Sequence, residues 1–244
     1  MYIDFSGLFH QSSKDRSGKG SVRIPLDQTL WPPEWKVIEY KEYPRLPKAQ
    51  LPHAAPAGGF FDTVTKRRSS RDFTGRPVVP AELSAVLKYS CGILRTEKNV
   101  EHRAQPSGGG RFPIELYPLV FYGNETIPSG VYHYAVKEHA LDSLWQRPFE
   151  KKDIADMFTY PWAQDATCAL VLSAVFERNQ MKYGERGYRQ ILIEAGTIVE
   201  NIYLACAELR MKCCAIDGVQ EPAIEKLLDI DGYAESVLCT VLIG

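Results

Sequence analysis

KYGERGYRQILIEAGTIVENIYLACAELRMK, residues 182–212, carries the strongest periodic signal in the chain. From Tyr188 onward, Ile191, Leu192, Ala195, Ile198, Val199, Ile202, Tyr203, Cys206 and Leu209 recur at steps of three and four, the spacing of one helix face. At about 1.5 Å per residue, a helix over 188–212 is a rod of ~37 Å. Its apolar face is wide, so the rod belongs in a core or across a subunit interface. The period itself gives none of these residues a chemical role, since a plain core helix has the same pattern.

Upstream, CALVLSAVF (168–176) is a continuous apolar run, as expected of a strand buried on both faces, and VLCTVLIG (237–244) is a second buried strand. LYPLVFYG (116–123) and VYHYA (131–135) predict strands joined by the turn-rich NETIPSG. PAELSAVLKYS (80–90) places Leu83, Val86, Leu87 and Ser90 on one helix face, with Pro80 near the first turn and Gly92 past the end. FFDTVTKR (60–67) predicts a short helix with Asp62 as its N-cap. Strands and helices mix without a regular βαβ rhythm, which gives an α+β fold class.

The first 57 residues differ. YPRLPKAQLPHAAPAGG (43–59) is rich in proline, which removes backbone donors and fixes φ, so regular structure is not expected there. Trp31, Trp35 and Tyr40 are too apolar for a free tail. The division expected is an arm over 1–57 that packs on a main domain over 58–244, within the size of one large domain.

Composition narrows the function classes. Lys plus Arg is 29 and Asp plus Glu is 30, a net charge of −1, which argues against nucleic acid as a partner. No apolar run reaches the roughly 20 residues that cross a bilayer, and the first residues lack a signal-peptide pattern, so no membrane role and a cytoplasmic location are expected. The six cysteines form no CxxC pair and sit among apolar neighbours. They read as core residues of a reducing compartment, and with five scattered histidines no metal site is expected.

Three stretches have residues suited to chemistry. RRSSR (67–71) puts three guanidiniums and two hydroxyls in five residues, a fit for a phosphate dianion, although a basic run is most often a solvated face. PSGGGRFP (106–113) has three consecutive glycines that permit positive φ and let backbone N–H groups approach a flat or anionic ligand. It matches neither the dinucleotide fingerprint nor the P-loop, and a flexible turn is its ordinary reading. In KYGERGYR (182–189), Lys182 and Tyr183 are adjacent, so they line one pocket only from an irregular turn, which Gly184 and Gly187 allow. A desolvated lysine becomes a base; a surface lysine beside a tyrosine is the common alternative.

Taken in order, RRSSRDF, PSGGGRFPIELY, PSGVYHY and KYGERGYRQILIEAGTIVENIYLA resemble the nitroreductase superfamily of flavin enzymes. Within it they look most like the SagB/McbC-type dehydrogenases that oxidise azoline rings in peptides. The resemblance covers Phe60 to Gly244, with the arm included through FHQSSK and EWKVIEYKEYP.

The resemblance implies a central mixed β-sheet flanked by helices, a homodimer and two FMN molecules at its interface, with the long helix as the dimer helix. It implies that Arg67, Arg68, Ser69 and Arg71 hold the FMN phosphate and the polar edge of the flavin. Pro106, Ser107 and Gly108 match the segment that touches the flavin from the other subunit, and Arg111 is assigned to the same site. AIDGVQ (215–220) resembles the segment along the isoalloxazine ring, which makes Gly218 a contact. Many relatives have a basic pair beyond the last core strand; none follows LIG here, so strong dependence on RRSSR is expected.

Lys182–Tyr183 matches the Lys-Tyr pair associated with azoline dehydrogenation. The implied chemistry takes the former Cα proton from a thiazoline or oxazoline while hydride leaves the adjacent carbon for flavin N5. Lys182 is the implied base, and Tyr183 holds the ring or steadies the lysine. The implied substrate is a peptide or small natural-product intermediate, with a cyclodehydratase as a partner. Three alternatives stay open: a NAD(P)H-dependent nitroreductase or flavin reductase, a non-catalytic flavin-binding accessory subunit, and a structural protein without flavin.

Overall fold

The computed structural model describes residues 4–14, 25, 27–36, 41 and 58–244. In chain order, the regular elements are α1 (Phe5–Ser13), α2 (Phe60–Lys66), α3 (Pro80–Cys91), β1 (Ile93–Glu97), β2 (Val100–Arg103), β3 (Ile114–Val120), β4 (Gly130–Ala135), β5 (Ala140–Gln146), α4 (Lys151–Met157), β6 (Cys168–Val175), α5 (Glu177–Tyr183), α6 (Glu185–Glu208), β7 (Cys213–Ile216), α7 (Glu221–Leu228) and β8 (Glu235–Ile243). The main sheet runs β5-β4-β3-β6-β8-β7, and β1 with β2 forms a separate hairpin. The class is α+β, as expected.

Every pairing in the main sheet is antiparallel, where a mixed sheet was expected. The cause is connectivity: β3, β4 and β5 follow one another as hairpins, and β8 turns back between β6 and β7. β6 lies in the middle and is buried along nearly its whole length. Its residues alternate, with Cys168, Leu170, Leu172 and Ala174 facing one core and Ala169 and Val171 the other. The first core is covered by α3 and α6, the second by α4 and α7.

α3 buries Leu83, Val86, Leu87 and Ser90 with Pro80 in its first turn, as the pattern predicts. α6 starts at Glu185 and ends at Glu208, where 188–212 was expected. Residues 209–212 leave the helix, with Arg210 at φ +58°, and lead into the edge strand β7, where Cys213 and Cys214 pair with Ile243 and Leu242. α6 buries Ile191, Ala195, Ile198, Ile202, Tyr203 and Cys206, while Leu192 and Ile193 face outward. Fully burying an isoleucine such as Ile198 stabilises the fold by about 1.5–3 kcal/mol.

α2 forms over the expected residues, but its N-cap is Gly59 and Asp62 sits inside the first turn. A carboxylate there still favours the positive helix end. The six cysteines are free thiols, five of them buried. Among the described residues no helix is long and apolar enough to cross a membrane, and no cluster of side chains could hold a metal ion.

Residues 4–14 pack on the main body. His10 bridges Ser236 at 2.8 Å and Tyr188 at 3.1 Å, and Lys14 forms a buried ion pair with Glu225 at 2.7 Å. Burial and the nearby Lys14 push the His10 imidazole down to about 4, so it packs as a neutral ring. Trp31 donates to the Pro25 carbonyl inside the arm. The Trp35 side chain, Tyr40 and the proline-rich 42–57 lie outside the described residues.

Candidate functional site

The arginine cluster follows α2 directly. Ser70 N–H donates to the Cys213 carbonyl at 2.8 Å, which lays this segment along the free edge of β7. Beneath it, Tyr203 of α6 is the hub. The Ala215 N–H of β7 donates to its hydroxyl at 2.8 Å, and the same hydroxyl meets Ser69 Oγ at 3.0 Å. The Arg67 guanidinium lies over the Tyr203 ring, 5.3 Å from its centroid. Arg68 turns back to the carbonyls of Thr65 and Arg67, both at 2.8 Å, and Arg71 is exposed. Among the described residues, none of these three arginines has a carboxylate partner. A site for a dianion needs such uncommitted donors.

Gly218, just past β7, packs on the other side of the same strand end. Its carbonyl accepts from Thr159 N–H at 2.9 Å, and a Cβ there would overlap the Tyr160 ring. A cleft of about 770 Å3 opens next to it between α4 and α7, lined by residues such as Asp156, Thr159 and Gln220. None of the residues expected at the site lines that cleft.

The glycine-rich turn is built differently. Gly109 and Gly110 have φ of +66° and +64°, and the Ser107 hydroxyl accepts the Phe112 N–H at 2.8 Å, closing the turn. Gly108 sits on Gln190 of α6 and Asn179 of α5, whose side chains are joined at 3.1 Å. Pro106 is exposed at the turn's start. A Cβ on Gly109 would lie 3.2 Å from Lys182 Nζ and would overlap the Tyr183 hydroxyl.

Lys182 and Tyr183 were expected in an irregular turn; they form the last turn of helix α5, which Gly184 ends at φ +55°. Their side chains still converge, because Lys182 Nζ folds over the Tyr183 ring at 5.2 Å. Gly187 lets α6 start against the backbone of Asn179, 3.1 Å away from where its Cβ would be. The turn and α5 clamp each other. Arg111 Nε donates to the Arg178 carbonyl at 2.8 Å, while Arg178 Nη1 donates to the Phe112 carbonyl at 3.1 Å and pairs with Glu115. Arg111 is thus held within its own chain, on α5.

The expected residues therefore fall in two groups. Arg67, Ser69, Arg71 and Gly218 gather near β7 and Tyr203; Ser107, Gly108, Lys182 and Tyr183 gather near Gln190. Tyr203 lies thirteen positions beyond Gln190 on α6, about 20 Å along the axis. Tyr203, Asn179, Gln190, Glu194 and Arg178 were not singled out from the sequence. Glu194 had a visible signal, a charged residue at an inward position between Ile191 and Ile198.

A six-stranded antiparallel sheet, a long helix behind it and two polar clusters at that helix's ends define an α+β scaffold of the flavin-oxidoreductase class. The chain belongs to the nitroreductase family, whose pattern matches residues 64–244. It is an oxidoreductase of that flavin-dependent family.

Three relatives are similar to it in sequence. A putative nitroreductase of Methanocaldococcus jannaschii is 26% identical over 172 residues, covering 70% of this chain and 85% of that protein. The trifolitoxin-processing protein TfxB of Rhizobium leguminosarum bv. trifolii is 30% identical over 212 residues, 81% of this chain, but this chain spans only 56% of TfxB. The microcin B17-processing protein McbC of Escherichia coli is 26% identical over 204 residues, 75% of this chain and 73% of McbC. Among solved structures, the E. coli microcin synthetase McbBCD complex with truncated pro-MccB17 bound shares the fold at TM-score 0.68 and 18% identity, over 93% of this chain and 84% of that one. A putative nitroreductase from Desulfovibrio desulfuricans in complex with FMN gives TM-score 0.53 and 16% identity, over 78% and 87%.

Proposed function

We propose that this chain works as a homodimer with FMN and dehydrogenates thiazoline or oxazoline rings in a peptide or natural-product intermediate. The observation that carries the reading is the convergence of Lys182 and Tyr183 on the Gly109 turn. The names of TfxB, a trifolitoxin-processing protein, and McbC, a microcin B17-processing protein, support the substrate class.

The chain's own residues suit the coenzyme. Arg67 and Arg71, with Ser69, hold the phosphate, since they have no carboxylate partner among the described residues and a dianion satisfies bidentate donors. Gly218 approaches the ring, and Ser107 and Gly108 reach it from the other subunit. The two clusters lie at opposite ends of α6, and a two-fold axis beside this helix brings one chain's turn to its partner's arginines. Leu192 and Ile193 on α6, Phe60, Phe61 and Val64 on α2, and Tyr89 on α3 are exposed apolar groups for that contact.

FMN supplies the acceptor for a hydride, two electrons with one proton, from the ring carbon next to the former Cα. Lys182 Nζ takes the Cα proton, which leaves the ring with its new double bond. Tyr183 donates its hydroxyl to the ring heteroatom and keeps Lys182 Nζ near its own ring face. An azoline arises by loss of water from a Cys, Ser or Thr side chain and the preceding carbonyl, so a cyclodehydratase is the partner in this reading.

The test is the visible flavin spectrum of the purified protein under anaerobic conditions, before and after an azoline peptide. Bleaching by the peptide alone is expected, and Lys182→Ala should bind FMN yet lose it. A Lys182→Ala protein that oxidises the peptide at the native rate removes Lys182 from the chemistry. The similarity to the M. jannaschii protein favours a second reading, a NAD(P)H-dependent nitroreductase. In that case NADPH bleaches the flavin quickly and the peptide does not.

A further inference from the structure

Ser6 of α1 is tied to both flanks of the Lys182–Tyr183 pair. Its N–H donates to Glu185 Oε2 at 2.8 Å, and its hydroxyl accepts from Gln180 Nε2 at 2.8 Å. Gln180 lies in α5 two positions before Lys182, and Glu185 opens α6 two positions after Tyr183. The break between the helices is Gly184, at φ +55° with nothing within 4 Å of its would-be Cβ. No side chain packed at Gly184 sets the angle there. The Asn179–Gln190 bond joins α5 to α6, and Ser6, 8% exposed, adds a tie from a third element.

α1 is docked through its polar side. Ser6 and His10 lie one turn apart and are buried, and Lys14 follows four residues later. Phe5, Leu8 and Phe9 are more than half exposed. Apolar burial is non-directional, whereas a hydrogen bond holds its partners within a few tenths of an ångström, so a helix docked by polar contacts has a fixed register. His10 anchors α1 to Ser236 of β8, and Lys14 anchors it to Glu225 of α7. Ser6 thereby refers the α5–α6 break to the sheet. Its N–H belongs to the first turn of α1, which has no acceptor within the helix. The Glu185 carboxylate fills that need and also lies in the first turn of α6, whose N-cap Gly184 has no side chain to offer. One negative charge serves the positive ends of two helices.

We propose that Ser6 is a positioning residue for Lys182 and Tyr183: through Gln180 and Glu185 it fixes the α5–α6 break, so that both side chains meet at Gly109. The arm then supports the site as well as packing on the domain. This role rests on the azoline reading of the pair.

The experiment uses the full-length chain with FMN and an azoline peptide. Ser6→Ala removes the acceptor for Gln180, and Glu185→Ala removes the acceptor for the Ser6 N–H. Glu185→Gln keeps a neutral acceptor in that place. Gln11→Ala cuts the bond to the Gly232 carbonyl at the other end of α1 and is the control. Ser6→Ala and Glu185→Ala should lower kcat by about fivefold or more, with KM and the FMN dissociation constant within about twofold of native. Glu185→Gln should recover most of that loss, and Gln11→Ala should stay within about twofold of native. Hydrogen exchange gives a readout that needs no turnover. The Gly184 and Gly187 amides, bonded to the Gln180 and Gly184 carbonyls, should exchange several-fold faster in Ser6→Ala and Glu185→Ala but not in Gln11→Ala.

A native kcat in Ser6→Ala overturns the proposal. So do equal falls in kcat and FMN affinity, or a loss in Gln11→Ala as large as that in Ser6→Ala, since either makes α1 a merely stabilising element. Unchanged exchange at Gly184 and Gly187 overturns the hold on the break, whether or not the peptide is oxidised. A native protein that binds FMN but oxidises no azoline overturns the reading of Lys182 and Tyr183, and the role of Ser6 in that reaction with it, while faster exchange in Ser6→Ala would still show the break held from α1.

Discussion

The Tyr183 hydroxyl stands on the side of Gly109 where any other residue would carry its Cβ. Gly109 is needed there twice over, for its φ of +66° and for the space. Gly110 separates the two demands, having φ +64° but nothing within 4 Å of its would-be Cβ. Both Gly109→Ala and Gly110→Ala should cost about 1 kcal/mol of stability from the left-handed backbone. Only Gly109→Ala should also displace Tyr183 and Lys182, lowering azoline turnover by about tenfold or more. Thermal melts and steady-state rates on both variants check this. Equal rates for the two would show that the approach of Tyr183 to Gly109 does not matter for turnover.

Tyr203 predicts a different kind of loss. Its hydroxyl accepts the Ala215 N–H and also holds Ser69. Tyr203→Phe leaves a backbone donor at the edge of β7 without its partner, a cost of about 1–3 kcal/mol. The segment bearing Arg67 and Ser69 loses its anchor, so the FMN dissociation constant should rise by about tenfold. Titration of apo-protein with FMN, followed by flavin fluorescence, measures it. A native-like affinity would mean that the arginine cluster is held without Tyr203.

The periodic parts of the fold were legible because burial is written in spacing. α3, β6 and the centre of α6 follow directly from where their apolar residues fall. β5 was not legible: it is an edge strand with mostly exposed residues, ALDSLWQ, and shows no buried face to read. β7 was not legible either: CCAI is only four residues long directly after the expected helix, and it becomes a strand through its pairing with β8. At the site, residue type pointed to the arginines, the glycines and Lys182–Tyr183. What supports them was hidden, because Tyr203 and Glu194 lie on a face whose period reads as plain core, and Arg178 acts through a carbonyl 66 residues away.

The reciprocal clamp between the turn and α5 makes Arg178 a positioning residue for Lys182 and Tyr183. Arg178→Met keeps the aliphatic stem but removes the bond to the Phe112 carbonyl and the pairing with Glu115. The turn and α5 then lose their common reference, while the arginine cluster at the far end of α6 is untouched. The expected result is a fall in kcat of about tenfold with FMN affinity within about twofold of native. Equal losses of kcat and FMN affinity would instead indicate general damage to the domain.

His133 links that clamp to pH. It accepts or donates at 3.0 Å to Glu115 and 3.3 Å to Asp142. The bond to Glu115 holds its imidazole above the usual range, against burial, with Asp142 adding to the rise. For Glu115 burial acts upward, but His133 and Arg178 together hold the carboxyl below its ordinary value. The signs follow from linkage. The His133 contribution is complete below 6.5, its ordinary value, and disappears as pH rises through its raised one; the Glu115 contribution is complete above 4.5 and disappears as pH falls through its lowered one. Native stability should therefore decline on the alkaline side of 6.5 by at most about 1 kcal/mol from this pair, since both groups are partly wetted. Urea midpoints measured on native protein and His133→Gln across that range isolate the effect, because the slopes from Glu194 and every other group are common to both. If the two curves run parallel, the His133–Glu115 bond contributes nothing to stability, and Arg178 alone holds Glu115 in place.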